Sequence, residues 1–149
     1  MKLSKNFSRA EIEHSNTAKR LGISNEMSEK HLENMQRLID NLIQPLRDSI
    51  GPIRISSGYR SPSLNRAIGG SSRSQHSKAE ALDLQFWSEG KMNNKVIYDW
   101  ILDSGLEFDQ MINEFDFSWI HISLKKNSNR KQVLEAYKDK DGDTAYRLV

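Results

Sequence analysis

The sequence contains no cysteine among its 149 residues. Disulfide bonds are therefore excluded, which suits a reducing compartment or a chain that is stable without them. Long hydrophobic runs are also absent, because no apolar stretch approaches the ~20 residues that a membrane-spanning helix requires. Residues 1–8 lack the apolar segment of an export signal. From these absences we expect a protein made in the cytoplasm, without an export signal and without a membrane partner.

A large excess of charge of one sign is missing as well. Lys and Arg number 22 against 20 Asp and Glu, which leaves a net charge of +2 and a pI of about 8.8. This mild basicity, without a basic face interleaved with aromatic residues, argues against a nucleic-acid partner but is compatible with an anionic polymer. A mean hydropathy of −0.71 is typical of a water-soluble protein. We expect one monomeric domain over residues 1–149.

Helical patterns dominate the first third of the chain. Residues 8–11 have the spacing of a capping box, which predicts a helix over 9–21, closed by Gly22. A longer helix is predicted from Ser28, and Pro45 should kink or divide it. Apolar residues at helical spacing form its core face: Leu32, Met35, Leu38, Ile39, Leu42, Ile43 and Leu46.

The rest of the chain has mainly strand patterns, with short helices through 64–67 and 96–101. Strands are predicted over 53–56, 81–86, 108–112, 119–124 and 144–148. Residues 131–137 suit either a strand or a helix. Residues 139–143 resemble a calcium loop, but their glycine falls fourth rather than sixth, so Asp141-Gly142 is interpreted as a hairpin turn. The predicted fold class is α+β, with N-terminal helices packed on a small, mainly antiparallel sheet.

Two of the predicted strands carry a chemically important polar residue each. Asp83 and His121 lie in alternations whose apolar members point to the opposite face, namely Leu82, Leu84, Ile120 and Ile122. If the two strands are neighbours, Asp83 and His121 share a polar face. His76, seven residues before Asp83, follows a Gly- and Ser-rich loop that can bring it to the same place.

Two imidazoles and one carboxylate are an incomplete ligand set for zinc. Structural zinc usually takes four protein ligands, whereas hydrolytic zinc keeps a position for water. We therefore predict one Zn²⁺ per chain, bound by His76, Asp83 and His121 and used for chemistry. His14 and His31 lie on predicted helix surfaces and are interpreted as ordinary surface residues.

A wider resemblance is carried by segments that occur in one order along the chain: 53–62, 65 with 69–70, 74–83, 108–115, 119–123 and 129–134. On these segments the chain resembles the zinc D-Ala-D-Ala carboxypeptidase family, peptidases of the hedgehog/DD-peptidase fold. The likeness is to its small single-domain, phage endolysin-like members. It spans nearly the whole chain, and several motifs in one order are more specific than any one of them.

The resemblance implies that zinc is bound by His76, Asp83 and His121. It also implies that Arg60 stabilises substrate or transition-state charge and that Ser74 lines the substrate pocket; the alternative role of Arg60 is a structural salt bridge. The implied reaction is hydrolysis of a peptide bond in a peptidoglycan stem peptide, by a D-Ala-D-Ala carboxypeptidase or an endolysin-type endopeptidase. A phage enzyme of this kind would reach the periplasm or cell wall through a holin or by lysis.

Two departures from the family pattern affect these expectations. Ala79 replaces a glycine that the family usually has, and a positive φ there would strain the alanine. Ser118 stands three residues before His121, where relatives often have an acidic general base. The nearest carboxylates are Glu114, our first candidate for the catalytic base because it ends a strand motif, and Asp116, our second. The alternative to an enzyme is a non-catalytic, zinc-stabilised relative that binds cell-wall peptides or has a virion structural role.

Overall fold

The computed structural model describes residues 1–149 and confirms the predicted α+β class. The helices are α1 (Arg9–Glu13), α2 (Asn16–Leu21), α3 (Glu29–Leu38), a π-helical turn (Ile39–Ile43), α4 (Gln44–Ile50), α5 (Pro62–Ala67), a 3₁₀ helix (Gln75–Lys78) and α6 (Lys95–Ser104). The strands are β1 (Arg54–Ser57), β2 (Ala81–Gln85), β3 (Trp87–Ser88), β4 (Lys91–Met92), β5 (Gln110–Glu114), β6 (Trp119–Ser123), β7 (Gln132–Lys138) and β8 (Thr144–Leu148). None of the helices has both the length and the apolar composition needed to cross a membrane.

The helix predicted over 9–21 is two helices, so this prediction was wrong. The break occurs at Ser15, whose hydroxyl accepts a hydrogen bond from the backbone N–H of Ala18 and caps α2. A side chain that satisfies a free backbone donor in this way starts a new helix more readily than it continues an old one. The predicted ends are confirmed, because Ser8 caps α1 and Gly22 ends α2 in the left-handed conformation.

Pro45 divides the second predicted helix without ending it. A proline ring inside a regular α-helix collides with the carbonyl four residues earlier and has no N–H to donate. Here the wider π-helical turn over 39–43 directly precedes α4, in which Pro45 lies in the first turn. The wider turn accommodates the proline, so the apolar stripe continues along one face.

Six strands form the main sheet in the order β1-β2-β6-β5-β7-β8, and β3 and β4 form a separate hairpin. All neighbouring pairs of the main sheet are antiparallel except β5 and β7. The segment 131–137, for which the sequence allowed a strand or a helix, belongs almost entirely to strand β7, Gln132–Lys138. The strand predicted over 108–112 lies at Gln110–Glu114 instead, because pairing continues until Glu114 meets Trp119 across the β5–β6 turn.

The two faces of the sheet have different roles. One face packs on the helices and contributes to a core of 23 buried residues. The sheet residues in that core include Leu82, Leu84, Met111, Ile120 and Ile122. Since successive side chains alternate, Asp83 and His121 lie on the other face, and they are direct partners in the antiparallel pairing of β2 with β6.

The connection between β7 and β8 is the predicted hairpin turn. Asp139 Oδ1 accepts hydrogen bonds from the backbone N–H groups of Asp141 at 2.9 Å and Asp143 at 3.0 Å. Gly142 adopts a φ of 80°, which glycine tolerates without strain. This turn places β8 at the edge of the sheet, beyond β7.

Candidate metal centre

The three predicted metal ligands come together on the polar face of the sheet. His76 Nε2 lies 3.2 Å from Asp83 Oδ1, and His121 Nδ1 lies 3.1 Å from the same oxygen. One ligand atom from each residue lies within 4.8 Å of the others. His76 comes from the 3₁₀ helix after the Gly- and Ser-rich loop, as predicted. The arrangement brings together two nitrogens and one oxygen around a single point.

The hydrogen bond made by Nδ1 of His76 determines that Nε2 is the ring nitrogen available to a metal. His76 Nδ1 donates its proton to the carbonyl oxygen of Gly58 at 2.8 Å. Nε2 of the neutral ring then carries a lone pair, and this lone pair faces the Asp83 carboxylate. Gly58 can lie this deep because it has no side chain, since a Cβ there would collide with the carbonyl oxygen of Ile12.

His121 is oriented in the same way by a chain of polar groups. Its Nε2 lies 3.4 Å from Gln75 Oε1, while Gln75 Nε2 donates to Asp109 Oδ2 at 2.9 Å. Because the ionised Asp109 only accepts hydrogen bonds, the Gln75 amide must turn its NH₂ toward Asp109 and its oxygen toward His121. His121 therefore carries its proton on Nε2 and directs the lone pair of Nδ1 at Asp83.

Asp109 is held in its charged form at the end of this chain. It is fully buried, and Arg130 donates to it through Nη2 at 2.8 Å and Nε at 3.1 Å. Burial raises the pKa of Asp109, but the hydrogen bonds from Arg130 and Gln75 outweigh that effect and lower it to about 2. Asp109 is therefore ionised at neutral pH and accepts the hydrogen bond that orients Gln75.

The donor set fits a divalent cation. With both far nitrogens protonated, two imidazole lone pairs and a carboxylate face each other at about hydrogen-bond distance, an arrangement that requires positive charge between them. Without a metal, additional protons on the two facing imidazole nitrogens supply this charge. Burial raises the pKa of Asp83, yet the charges of and hydrogen bonds from the protonated His76 and His121 then hold it well below its usual range. These three residues would hold the metal, with no fourth protein ligand to close the site.

Removing Gln75 should weaken the metal centre without touching a ligand. We expect Gln75→Leu to lower zinc affinity about tenfold, the lower end of the effect of losing such an outer hydrogen bond, because His121 is then free to rotate or change tautomer. Competition titration with a chromogenic chelator measures this. Gln110→Leu is the matched control, since Gln110 bonds to Gln132 and not to a ligand. Equal affinity in all three proteins would contradict the orienting role.

Glu114 and Asp116, the two candidate bases, lie in different environments. Glu114 is only 8% exposed and lines the same cleft as the metal ligands, on the same face as His121. Asp116 is exposed in the β5–β6 turn and does not line the cleft. Ser118 donates its hydroxyl proton to the carbonyl of Phe115 at 2.7 Å and so helps to close this turn. Of the two carboxylates, Glu114 has the geometry of a group that acts beside the metal.

The environment of Glu114 changes its acidity. Burial raises the pKa of Glu114, the charge of Asp83 raises it further, and His121 offsets part of this, with a result of about 7. Because its pKa is higher in the folded than in the unfolded protein, the Glu114 carboxyl contributes to the free energy of unfolding. This contribution is fully present below pH 4.5, the ordinary pKa of the group, and is lost as the pH rises through about 7. A metal ion bound nearby would shift the pKa of Glu114 downward, since an opposite charge stabilises the carboxylate.

Metal-free protein should therefore show a pH-dependent effect of Glu114→Gln. Above pH 7 we expect the variant to be more stable than the wild type by about 1–3 kcal/mol, because the wild type must bury a charge that the amide lacks. Below pH 4.5 the difference should vanish. Urea unfolding across pH 4–9 measures it, with exposed Asp116→Asn as the control. A difference that is constant with pH would contradict the raised pKa.

Arg60 and Ser74 also line this cleft, whose volume is about 830 Å³. Arg60 forms no salt bridge, and its Nε is buried without a hydrogen-bond partner. The structure therefore does not support a structural salt bridge as the role of Arg60. The Ser74 hydroxyl oxygen accepts a hydrogen bond from the backbone N–H of His76 at 3.2 Å, which leaves its own proton free to donate. Both side chains are available to a ligand.

Ala79 stands where the family usually has a glycine. Its φ is positive, so its backbone has the strain that we expected for that case. It ends the 3₁₀ helix in the left-handed region at φ 57° and ψ 35°, and its side chain is fully buried. An alanine in this region costs about 1–2 kcal/mol relative to the right-handed form. In this conformation the backbone N–H of Ala79 donates to the carbonyl oxygens of Gln75 and His76 and so closes the 3₁₀ helix that carries His76.

Replacing Ala79 by glycine tests this strain. We expect Ala79→Gly to change the free energy of unfolding by less than about 1 kcal/mol, because relief of strain offsets the lost buried methyl and the more flexible unfolded chain. Ala81→Gly, at an equally buried alanine in β2 with ordinary backbone angles, should lose about 1–2 kcal/mol. Urea unfolding of both variants measures the contrast, and equal losses would contradict the strain.

The residues that orient His121 were not predicted from the sequence. Gln75 adjoins His76 in the chain, which is a usable signal, but nothing in the spacing connects Asp109 with Arg130 or either with His121. His31, interpreted as a surface residue, is half-buried, and its Nδ1 lies 2.9 Å from the hydroxyl of Tyr59. His14 is exposed as predicted. Neither histidine reaches the metal ligands.

The comparison with known families agrees with this geometry. Residues 5–123, which contain all three candidate ligands, match the family described as Peptidase M15. No curated protein matches the chain. Peptidase M15 is a zinc D-Ala-D-Ala carboxypeptidase-type family, and at the family level it implies a zinc peptidase that acts on peptidoglycan. Since the match covers well over half of the chain and includes the candidate metal ligands, the protein belongs to the M15 peptidase family.

Proposed function

We propose that this protein is an active zinc peptidase that hydrolyses a peptide bond of bacterial cell-wall peptidoglycan. The observation that supports this most strongly is the meeting of His76, Asp83 and His121 in a cleft that also holds Arg60 and Glu114. A three-ligand site leaves room for water and substrate, and the two further residues supply a proton acceptor and a fixed positive charge.

The candidate ligand side chains are already oriented for zinc in the metal-free protein. His76 and His121 offer neutral nitrogens whose opposite ring positions are held by Gly58 and Gln75, and Asp83 adds a negative charge. When bound, zinc lowers the pKa of water toward about 7 and polarises a carbonyl oxygen. The protein's own contribution is to fix ligand direction and to keep one side of the site open to the cleft.

Glu114 is the proposed general base. As a carboxylate it accepts a proton from the attacking water and transfers that proton to the nitrogen of the leaving amine. Its burial beside Asp83 keeps it a stronger base than a solvated carboxylate. Asp116 is exposed and does not line the cleft, which disfavours it for this role.

Arg60 and Ser74 are the proposed substrate contacts. Arg60 lines the cleft and forms no salt bridge within the protein, so its guanidinium suits the terminal carboxylate of a D-Ala-D-Ala end. It equally suits the developing oxyanion of an internal peptide bond. The free hydroxyl proton of Ser74 can donate to a substrate carbonyl. The site is thus compatible with a carboxypeptidase and with an endolysin-type endopeptidase.

Digestion of purified peptidoglycan tests the proposal and separates the two activities. Zinc-loaded protein is incubated with the polymer and with a synthetic stem peptide ending in D-Ala-D-Ala, and the products are identified by mass spectrometry. A carboxypeptidase releases single D-alanine, whereas an endopeptidase creates new amino termini within the stem or cross-bridge. Chelator-treated protein is the matched control. Absence of both products from fully zinc-loaded protein would refute the proposed activity.

A non-catalytic relative is the second candidate. Ser118, in the position where relatives often have an acidic base, is the observation that favours it, since its hydroxyl is used to close the β5–β6 turn. Such a module would bind zinc and wall peptides through the same cleft, in cell-wall binding or in a virion structural role. Peptide binding by zinc-loaded protein without release of any fragment would identify it.

A further inference from the structure

The β7–β8 hairpin, Gln132–Lys138 with Thr144–Leu148, lies beyond residue 123, where the family match ends. Through the parallel pairing of β5 with β7 it adds two strands to one side of the sheet. Three of its residues, Leu134, Thr144 and Tyr146, line the cleft of the metal centre. The hairpin therefore supplies one wall of the site.

Strand register places Tyr146 in line with the proposed base. Glu114 pairs with Ala136, and Ala136 pairs with Tyr146. Directly paired residues point to the same face, so all three side chains are on the face that carries His121. Strands lie about 4.8 Å apart, which puts the backbone of Tyr146 about 10 Å from that of Glu114. Only the small side chain of Ala136 stands between them.

The order of the strands sets Arg60 and Tyr146 at opposite ends of the cleft. Arg60 follows β1 at one edge of the sheet, Tyr146 belongs to β8 at the other edge, and both line the cleft. Asp83, His121 and Glu114 come from the strands between these edges. A peptide that extends across the metal centre along the strand order, starting from the Arg60 end, would run toward Tyr146.

We propose that Tyr146 is a substrate-contacting residue that binds the part of the wall peptide lying away from Arg60, through its ring and a hydrogen bond from its hydroxyl. This inference rests on the proposed peptidase function. A tyrosine suits this task because its ring packs on methyl groups such as alanine side chains while its hydroxyl donates to a carbonyl or carboxylate.

The state of Tyr146 in the structure supports this role. The side chain is 54% exposed although it is large and aromatic, and its hydroxyl is not engaged in the protein's side-chain hydrogen bonds. Burial of part of the phenol raises its pKa, and the charges of Glu114 and Asp83 raise it further. The hydroxyl is therefore protonated at neutral pH and available as a donor.

The hairpin itself provides a matched control. Tyr137 is a neighbour of Ala136 in β7 and points to the opposite face, where the guanidinium of Arg147 lies 4.3 Å from its ring centre. A change at Tyr137 perturbs the same hairpin without touching the cleft. Any general effect of the hairpin on stability should appear in Tyr137→Phe as well as in Tyr146→Phe.

The test measures peptide binding and turnover separately. Binding of a synthetic stem peptide ending in D-Ala-D-Ala, and of a longer muropeptide, is measured by calorimetry on the zinc-loaded Glu114→Gln protein, in which turnover is expected to be about 10²–10⁴-fold slower. We expect Tyr146→Phe to weaken binding about fivefold through the lost hydrogen bond. Tyr146→Ala should weaken it about thirtyfold through the lost ring. In the wild-type background the same changes should raise KM more than they lower kcat.

The possible results distinguish the role of Tyr146 from the proposed peptidase function. Zinc affinity and melting temperature should be unchanged in Tyr146→Phe, and Tyr137→Phe should bind like its parent. If both Tyr146 variants bind peptide within twofold of the parent, Tyr146 is not a contact, although the peptidase function stands. Equal weakening in Tyr137→Phe would also overturn the contact and assign a structural role to the hairpin. If the parent binds no wall peptide at all, the proposed function fails, and the role of Tyr146 fails with it.

Discussion

Replacing Glu114 by glutamine should lower turnover about 10²–10⁴-fold, the usual scale of general acid–base catalysis, while zinc stays bound. The amide keeps the shape of the side chain but cannot accept a proton from water. Glu114 ends β5 beside the metal ligands without being one of them, so its neutralisation leaves the ligand set intact. Steady-state kinetics on the stem peptide and metal analysis of the same preparation measure the two effects.

Asp116→Asn is the matched control, because it makes the same chemical change two residues away at an exposed position. We expect it to keep nearly wild-type turnover. The pH profile adds a second check: activity should fall as the pH drops below the pKa of Glu114, and this acidic limb of kcat/KM should disappear in Glu114→Gln. If Asp116→Asn lost more activity than Glu114→Gln, the order of our two candidates would be reversed.

Loss of any one ligand should abolish both zinc binding and activity. For His121→Ala we expect the zinc content to fall from one ion per chain to near zero at micromolar free zinc, since two ligands cannot hold the ion against water. Asp83→Asn should have a similar effect, because the amide lacks the charge that balances the cation. Metal analysis after dialysis measures this. His14→Ala, at an exposed histidine outside the site, should keep its zinc.

These ligand variants should remain folded. The ligands lie on the polar face of the sheet, whereas the 23-residue core lies between the other face and the helices. Substitution of His121 therefore removes no apolar contact from that core. Circular dichroism melts of metal-free wild type and His121→Ala should coincide closely. Full zinc occupancy in His121→Ala would disprove the ligand assignment, and an unfolded variant would show that the metal centre also holds the fold together.

The placement of the candidate ligands Asp83 and His121 on one face was predictable because local alternation determines which way a strand residue points. Leu82 and Leu84 must face the core, so Asp83 must face away from it, whatever the partner strand is. The same reasoning applies to His121 between Ile120 and Ile122. Residue type then limits the chemistry, since two imidazoles and a carboxylate without cysteine favour an open zinc site. The Pro45 irregularity and the hairpin turn at 139–143 were predictable for the same local reason.

Other features depended on pairings between distant parts of the chain. The sequence could not choose between Glu114 and Asp116, because the answer depends on where β5 ends against Trp119. It could not connect Asp109 with Gln75, which lies 34 residues earlier in the chain. The break at Ser15 was missed because a helix of 13 residues and two capped short helices satisfy the same apolar pattern.

The sequence by itself determined the α+β class, the types of the candidate ligands and the face on which Asp83 and His121 lie, because these follow from periodicity and side-chain chemistry. Only the tertiary structure decided how the ligands are oriented and what surrounds them. Strand order brought β8 and Tyr146 to the cleft, and burial together with the charge of Asp83 raised the pKa of Glu114. Such effects depend on distances between groups that lie far apart in the chain, and those distances are set by strand register and packing.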